Sequence, residues 1–434
     1  MSVSLSPQTP TNISTEINKV LRNDAKNTDR KVEKLCNGAF EKQLIHLSTA
    51  TLERINKINE NNINERNDDI NKTKTELNSL QESLQKDPSN TEIQSKISAC
   101  EKKIKGLSAA KKLVELATNQ AALNNHSQIE VVQSIRPKDI QELESKFANE
   151  RIMINYQDYS DKDPTTKTSS RGANCFLHYG KIEYLGKDQR ANNIMKTTGD
   201  IMKPESDKVF TIFAAAHRPI TNGAARGGNS QEENFGFQTN GLAIKTAIKL
   251  EGADYFPFDA NDDKSTQYNP TPTLFRNITQ VAEFSYFGGT TLRNVTEQEI
   301  EKEYKILPKE NQVTFSALSI AAPSNWKDAN EAKKANLITQ MIKNWVQGLE
   351  AVDIADQNKP VQTGGWGTGA FSGSVKISVA AQCIAFSLMN KEMHFYWVDK
   401  NKEQELKDAF KWCKENLENK TPNEAIELLV KELK

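Results

Sequence analysis

A chain of 434 residues is about two to three times the size of a common domain, so it can bury a sizeable core and is predicted to hold two domains. Its 57 basic and 57 acidic side chains cancel, which excludes an overall field that would draw in nucleic acid or an anionic membrane. No apolar run approaches the ~20 residues of a membrane span, and Cys36, Cys100, Cys175, Cys383 and Cys413 are odd in number and scattered, as expected of reduced thiols in a cytoplasmic compartment. The first residues, MSVSLSPQTPTNIS, lack both the charged and the apolar parts of a signal peptide, so any export is expected to use another signal.

From about residue 12 to residue 128 the chain is rich in Asn, Lys, Glu and Gln and nearly free of aromatics. Apolar residues recur at helical spacing: Ile55, Ile58, Ile63, Ile70, Leu77, Leu80 and Leu84 on one arm, then Ile93, Ile97, Ile104, Leu107 and Val114 on the other. KDPSN at 86–90 divides them. Pro88 is expected to stop the first helix and Ser89 or Asn90 to cap the second, which predicts a long helical hairpin. Such an arm can bind a partner, or it can be a solvated appendage.

Near residue 130 aromatics and short apolar runs appear: RIMINY (151–156), NCFLHYGKIEYLG (174–186), KVFTIFAAA (208–216), QVTFSALSIAAPS (312–324) and MHFYWVD (393–399). Runs of this length bounded by Gly, Pro or Asn suit buried strands. Helical patterns lie between them, at 231–250, 328–352, 374–390 and 402–419. The expected architecture is therefore α/β with a mixed, largely parallel central sheet, 131–434, behind an all-α, coiled-coil-like region, 1–130. Ligands of such sheets gather beyond the carboxyl ends of the strands.

Two loops fit that position. NGAARGGNSQEENF (222–235) follows an apolar run and opens a helix. Gly223, Gly227 and Gly228 allow close backbone approach to a ligand, Ser230 is a cap for a helix starting at Gln231, and Glu232 and Glu233 fall in its electropositive first turn. The plainer reading is that any helix can carry such acids. The second loop is QTGGWGTGAF (362–371). Its Gly365, Gly367 and Ala370 have G-x-G-x-x-A spacing, but the preceding QNKPVQ reads as loop rather than strand, so the dinucleotide fingerprint is not supported. What the loop offers is a nest of N–H groups for a diphosphate, a helix dipole after Ser372, and Trp366 and Phe371 to pack on a ribose or base. Alternatively it is a Gly-rich turn whose aromatics are core.

Taken together the two loops resemble the poly(ADP-ribose) glycohydrolase branch of the macrodomain fold. That branch carries a glycine triplet, a spacer and Gln-Glu-Glu, then a T-G-x-W-G-x-G-x-F phosphate loop, met here by Thr363, Gly364, Trp366, Gly367, Gly369 and Phe371. SIAAPSNW (319–326) is similar to a late core strand of bacterial members. The resemblance covers roughly 150–420 and says nothing of the helical arm. It implies a three-layer α/β/α domain that binds ADP-ribose and cleaves its glycosidic bond to a protein or polymer without metal or cofactor. Gln231 would meet the distal ribose, Glu233 would act as acid and then base, and Glu232 would orient the ribose. Thr363 to Phe371, with Gly365, Thr368 and Ala370, would wrap the diphosphate, and Asn222, Gly223, Gly227 and Gly228 would line the ribose side. Three features depart from the family. Only Gly223 of the triplet position 221–223 is Gly, the usual preceding Asn is missing from FAAAHRP, and Thr368 replaces a Cys. These bear on poly(ADP-ribose) as the substrate more than on ADP-ribose binding.

The Asn- and Lys-rich composition, the arm and the tail NEAIELLVKELK also make the chain resemble Legionella-type translocated effectors of this branch, which would imply ADP-ribosyl-arginine on ubiquitin as the target. The rival expectation is a module that reads ADP-ribose without cleaving it while the arm recruits a protein partner. His46, His126, His178, His217 and His394 show no zinc spacing, no G-x-S-x-G elbow occurs, and DANDD (259–263) lacks the Gly and Glu of a calcium loop.

Overall fold

Five of the apolar runs form strands because each is rich in β-branched or aromatic side chains, which suit a pleated, buried surface. In the computed structural model they are β3 (Ile154–Asp158), β4 (Ala173–Tyr184), β6 (Val209–Ala214), β11 (Val313–Ala321) and β13 (Glu392–Trp397). The structure describes residues 13–22, 40–46, 49–121, 128–134, 140–158, 171–184, 195–199, 202–214, 231–241, 244, 272–284, 286–287, 295–321, 330–356, 359–368, 373–397 and 403–433. The other strands are β1 (Phe40–His46), β2 (Gln128–Ser134), β5 (Met195–Gly199), β7 (Thr273–Gln280), β8 (Ala282–Glu283), β9 (Tyr286–Phe287), β10 (Lys305–Ile306) and β12 (Val361–Gly364). The main sheet runs β1-β2-β7-β11-β6-β12-β13-β4-β5-β9, with β3 beside β4. Its centre, from β11 through β6, β12 and β13 to β4 and β3, is parallel, and both flanks are antiparallel.

Alternation along the strands sorts side chains into two cores. Val209, Leu318 and Ile320 face one layer of helices: α1 (Ile13–Arg22), α4 (Ile140–Asn149), α7 (Glu331–Asp356), α8 (Val375–Leu388), α9 (Glu403–Leu417) and α10 (Pro422–Glu432). Phe210, Ile212, Phe315 and Ala317 face the other layer, where Phe235 of α5 (Gln231–Gln238) and Ile55 of α2 (Thr49–Lys86) cover them. This is the expected three-layer α/β/α arrangement. Residues 423–432 of the stretch NEAIELLVKELK belong to helix α10, opened by Thr421 and Glu424 in a capping box.

The hairpin forms as the punctuation dictates. Helix α2 ends at Lys86, α3 (Thr91–Ala121) follows, and Asn90 accepts from the Ile93 amide at 3.0 Å as the cap. The division expected at residue 130 is nevertheless crossed by the sheet. Strand β1 pairs with β2, β2 pairs with β7, and α1 packs in the same core as α7 to α10. The base of the arm is likewise built in: Ala109, Ala110, Leu113, Val114 and Ala117 join Phe237, Val281, Phe284, Val295 and Tyr304 in a third cluster that includes Ile300 of α6 (Glu297–Glu303). Toward the tip the apolar seam is narrow and half-buried at Leu77, Leu80, Leu84, Ile93 and Ile97.

A contrast in stability follows. Leu113→Ala should lower the unfolding free energy by ~2–5 kcal/mol, because it opens a cavity where two layers meet. Replacing 74–103 with a short Gly/Ser linker should move Tm by no more than about 3 °C in thermal melting. Loss of folding on trimming the tip would show that the tip belongs to the core.

The described cysteines, Cys100, Cys175, Cys383 and Cys413, are free thiols, all buried. Burial pushes the Cys175 and Cys413 thiols well above their usual range.

Candidate functional site

Strand β12 corrects the expectation that loop precedes QTGGWGTGAF. Val361–Gly364 is a fully buried parallel strand between β6 and β13, in register Val361↔Val209 and Val361↔Met393. Four residues with Gln and Thr among them carry little strand signal of their own, and the neighbours on both sides supply the ladder. The strand runs directly into the glycine loop, so the loop leaves the carboxyl end of the parallel block.

The first loop leaves the same end of the adjacent strand. Strand β6 ends at Ala214, and 17 residues later α5 begins at Gln231, as the sequence predicts, though it ends at Gln238. Its direction can be read from its far end. Thr239 bridges Gln280, which pairs with Val313 at the start of β11. The opposite end of α5, with Gln231, Glu232 and Glu233 in its first turn, therefore lies toward the carboxyl ends of the strands. Three anchors hold the helix there: Phe235 stacks on Phe210 at 6.0 Å, meets Phe315 edge-on at 6.1 Å, and the Tyr304 hydroxyl donates to the Phe237 carbonyl at 2.6 Å. Asn222, Gly223, Gly227, Gly228 and the cap Ser230 lie outside the described residues, as do Gly369, Ala370 and Phe371.

The glycines of the second loop answer to its neighbours on β13. A Cβ at Gly364 would stand 2.8 Å from the Tyr396 carbonyl oxygen, and one at Gly365 would stand 2.4 Å from the Trp397 ring. Gly367 adopts φ of +72°, the left-handed region that only Gly enters freely. The Thr368 hydroxyl, at the position of the family's Cys, donates to the Gly365 carbonyl at 2.8 Å and closes the turn. The Gly373 amide donates to the Gly367 carbonyl at 2.9 Å, and Ser374 then caps α8 by accepting from the Ile377 amide.

Of the two roles open to Trp366, packing on a ribose or base and filling the core, the ring takes the second: it is 1% exposed, edge-on to Trp345 at 5.7 Å. Its backbone belongs to the loop and its side chain to the core. A buried polar network that the sequence reading did not single out lies beneath. Thr363 Oγ1 donates to Gln382 Oε1 at 2.7 Å, Gln382 Nε2 donates to the Gly364 carbonyl at 3.3 Å, and Ser378 Oγ donates to the Trp366 carbonyl at 2.8 Å. Gln382 and Ser378 are four residues apart on α8, a spacing that puts two polar groups on one face of an otherwise apolar helix.

Two histidines read singly in the sequence also meet. His178 Nε2 lies 3.1 Å from His394 Nδ1, and His394 Nε2 lies 2.8 Å from Glu392 Oε1. The His178 ring stacks on Tyr396 at 4.3 Å, beside Gly364 in the strand register.

Gly367→Val should cost ~1–3 kcal/mol of stability, since a β-branched residue resists positive φ, and denaturant unfolding tests this.

Residues 276–405 match the family model described as Poly (ADP-ribose) glycohydrolase (PARG), Macro domain fold. No curated protein matches the chain. Among solved structures, poly(ADP-ribose) glycohydrolase from Thermomonospora curvata aligns at 14% identity over 48% of this chain and 68% of its own, with a TM-score of 0.36. The Deinococcus radiodurans enzyme in complex with ADP-ribose aligns at 12% identity over 57% and 88%, with a TM-score of 0.35. At these scores the superpositions bear on neither substrate nor mechanism. The matched segment runs from β7 to the start of α9 and holds the whole second loop, while Glu232 and Glu233 precede it, so it is the half of the domain with the second loop that is similar to the glycohydrolase family.

Proposed function

We propose that the protein is a glycosidase that binds ADP-ribose and cleaves the bond joining its distal ribose to a modified protein or polymer. The observation that carries this reading is the pairing of β6 with β12. Two glycine-bearing loops leave adjacent parallel strands at one end of the sheet, and the acidic first turn of α5 lies at that same end. Neighbouring strands are about 4.8 Å apart, so one elongated ligand spans both loops.

In this reading the second loop and the dipole of α8 hold the diphosphate, and the ribose reaches toward α5. Rupture of a glycosidic bond passes through an oxocarbenium-like state. Glu233 protonates the leaving group and then takes a proton from the attacking water, while Glu232 orients the ribose hydroxyls. The residues of the altered triplet and the missing Asn bear on the ribose side, and they favour a mono-ADP-ribosylated protein over a long polymer. ADP-ribosyl-arginine on ubiquitin is the specific substrate put forward, with the chain acting as a translocated bacterial effector and the arm contacting a protein partner.

The test presents the protein with ubiquitin mono-ADP-ribosylated on arginine and, separately, with a poly(ADP-ribosyl)ated protein. Free ADP-ribose is then measured. Release from the first supports the full reading, and release from the polymer alone assigns the substrate differently. Binding of ADP-ribose by titration with no release from either would make the protein a reader.

A further inference from the structure

The second loop is held from two sides. Trp366 N to Gly364 O at 2.7 Å, Thr368 N to Gly365 O at 3.2 Å, the Thr368 hydroxyl to the Gly365 carbonyl and Gly373 N to Gly367 O close its turn, and side chains of α8 anchor it from below. Gln382 is 0% exposed, as is Thr363, and Ser378 is 2% exposed. Within an apolar core these side chains would be costly unless each polar atom found a partner. They find one another and the loop: Thr363 Oγ1 to Gln382 Oε1, Gln382 Nε2 to the Gly364 carbonyl and to Ser378 Oγ at 3.3 Å, and Ser378 Oγ to the Trp366 carbonyl. An apolar helix would have served the core equally well at positions 378 and 382. What the polar pair adds is a fixed direction for two loop carbonyls, at residues 364 and 366, which in turn aims the amides between and after them.

We infer that Gln382 and Ser378 are positioning residues. Through Thr363 they set the backbone conformation of the phosphate loop, so they govern affinity for the diphosphate of the ligand and not the bond-breaking step. This rests on the reading of the loop as a diphosphate site. Neither residue touches the ligand; each acts through the loop backbone.

The variants are Ser378→Ala, which removes the hydrogen bond to the Trp366 carbonyl, and Thr363→Val, which keeps shape and removes the hydroxyl that orients Gln382. Each hydrogen bond lost to a preorganised loop is expected to weaken ADP-ribose binding about five- to tenfold in titration, and Ser378→Ala, which changes no residue of the loop itself, should keep kcat on the ADP-ribosylated substrate within twofold of wild type. Hydrogen exchange in the ligand-free protein is the independent readout. The Trp366 and Thr368 amides should exchange at least fivefold faster in both variants, while those of β11 are unchanged. A purely structural role would lower the denaturant midpoint and leave affinity and local exchange as in wild type, and that result would overturn the inference. Faster exchange with unchanged affinity would overturn it too. Wild-type protein that binds no ADP-ribose would refute the proposed function, and unchanged exchange at Trp366 and Thr368 would separately refute the positioning role.

Discussion

Glu233→Gln is expected to lower hydrolysis by ~10²–10⁴ while folding and ADP-ribose affinity stay close to wild type. The substitution preserves volume and the helical position but removes the capacity to give and take a proton. Glu232→Gln should cost less, since orienting a ribose needs hydrogen bonds that an amide partly supplies, and the two effects will not add because the residues share one turn. If both acids only complement the dipole of α5, each change alters stability by less than ~1 kcal/mol and turnover is untouched. Release of ADP-ribose by the three proteins, measured beside a ligand-induced thermal shift, separates these outcomes. Full activity in Glu233→Gln would remove this residue from the mechanism.

The second large effect concerns Trp366, at the centre of the same motif, and it is expected in stability. Trp366→Ala should lower the unfolding free energy by ~3–5 kcal/mol, because the ring fills a fully buried site against Trp345 and beneath the loop. Trp366→Phe should recover most of that loss, since the indole nitrogen makes no hydrogen bond among the described residues. A ligand-lining tryptophan would behave otherwise, losing affinity with its stability intact. Denaturant unfolding of the two variants decides, and a Trp366→Ala protein as stable as wild type would return the ring to the pocket.

The two substitutions show where local pattern suffices. The start of α5 at Gln231 was legible because a glycine-rich stretch, a Ser and a pair of acids form a helix start signal, whatever surrounds it. The strands β3, β4, β6, β11 and β13 were legible for a similar reason, as each is an apolar run long enough to carry its own signal. Strand β12 was not. Four residues after a Pro have too little pattern, and Val361 and Gln362 become strand because β6 and β13 flank them. The hairpin was legible in outline from its seam and from Asn90, but its base was read as a separate domain. Ala109, Leu113 and Val114 follow the same helical period whether they meet α2 or the sheet.

The sequence by itself therefore determined the elements whose signal is local: the helical arm and its turn, the long strands, the turn at Gly365–Thr368 and the start of α5 at Gln231, all set by periodicity, capping and backbone freedom within a few residues. Only the tertiary structure decided what depends on partners far along the chain. It placed β6 beside β12, so that two loops about 150 residues apart share one end of a sheet, and it turned Trp366 inward and Gln382 upward. It also drew β1 and β2 into the sheet across the expected boundary. Burial and strand pairing are properties of neighbours, and a residue's own identity does not name them.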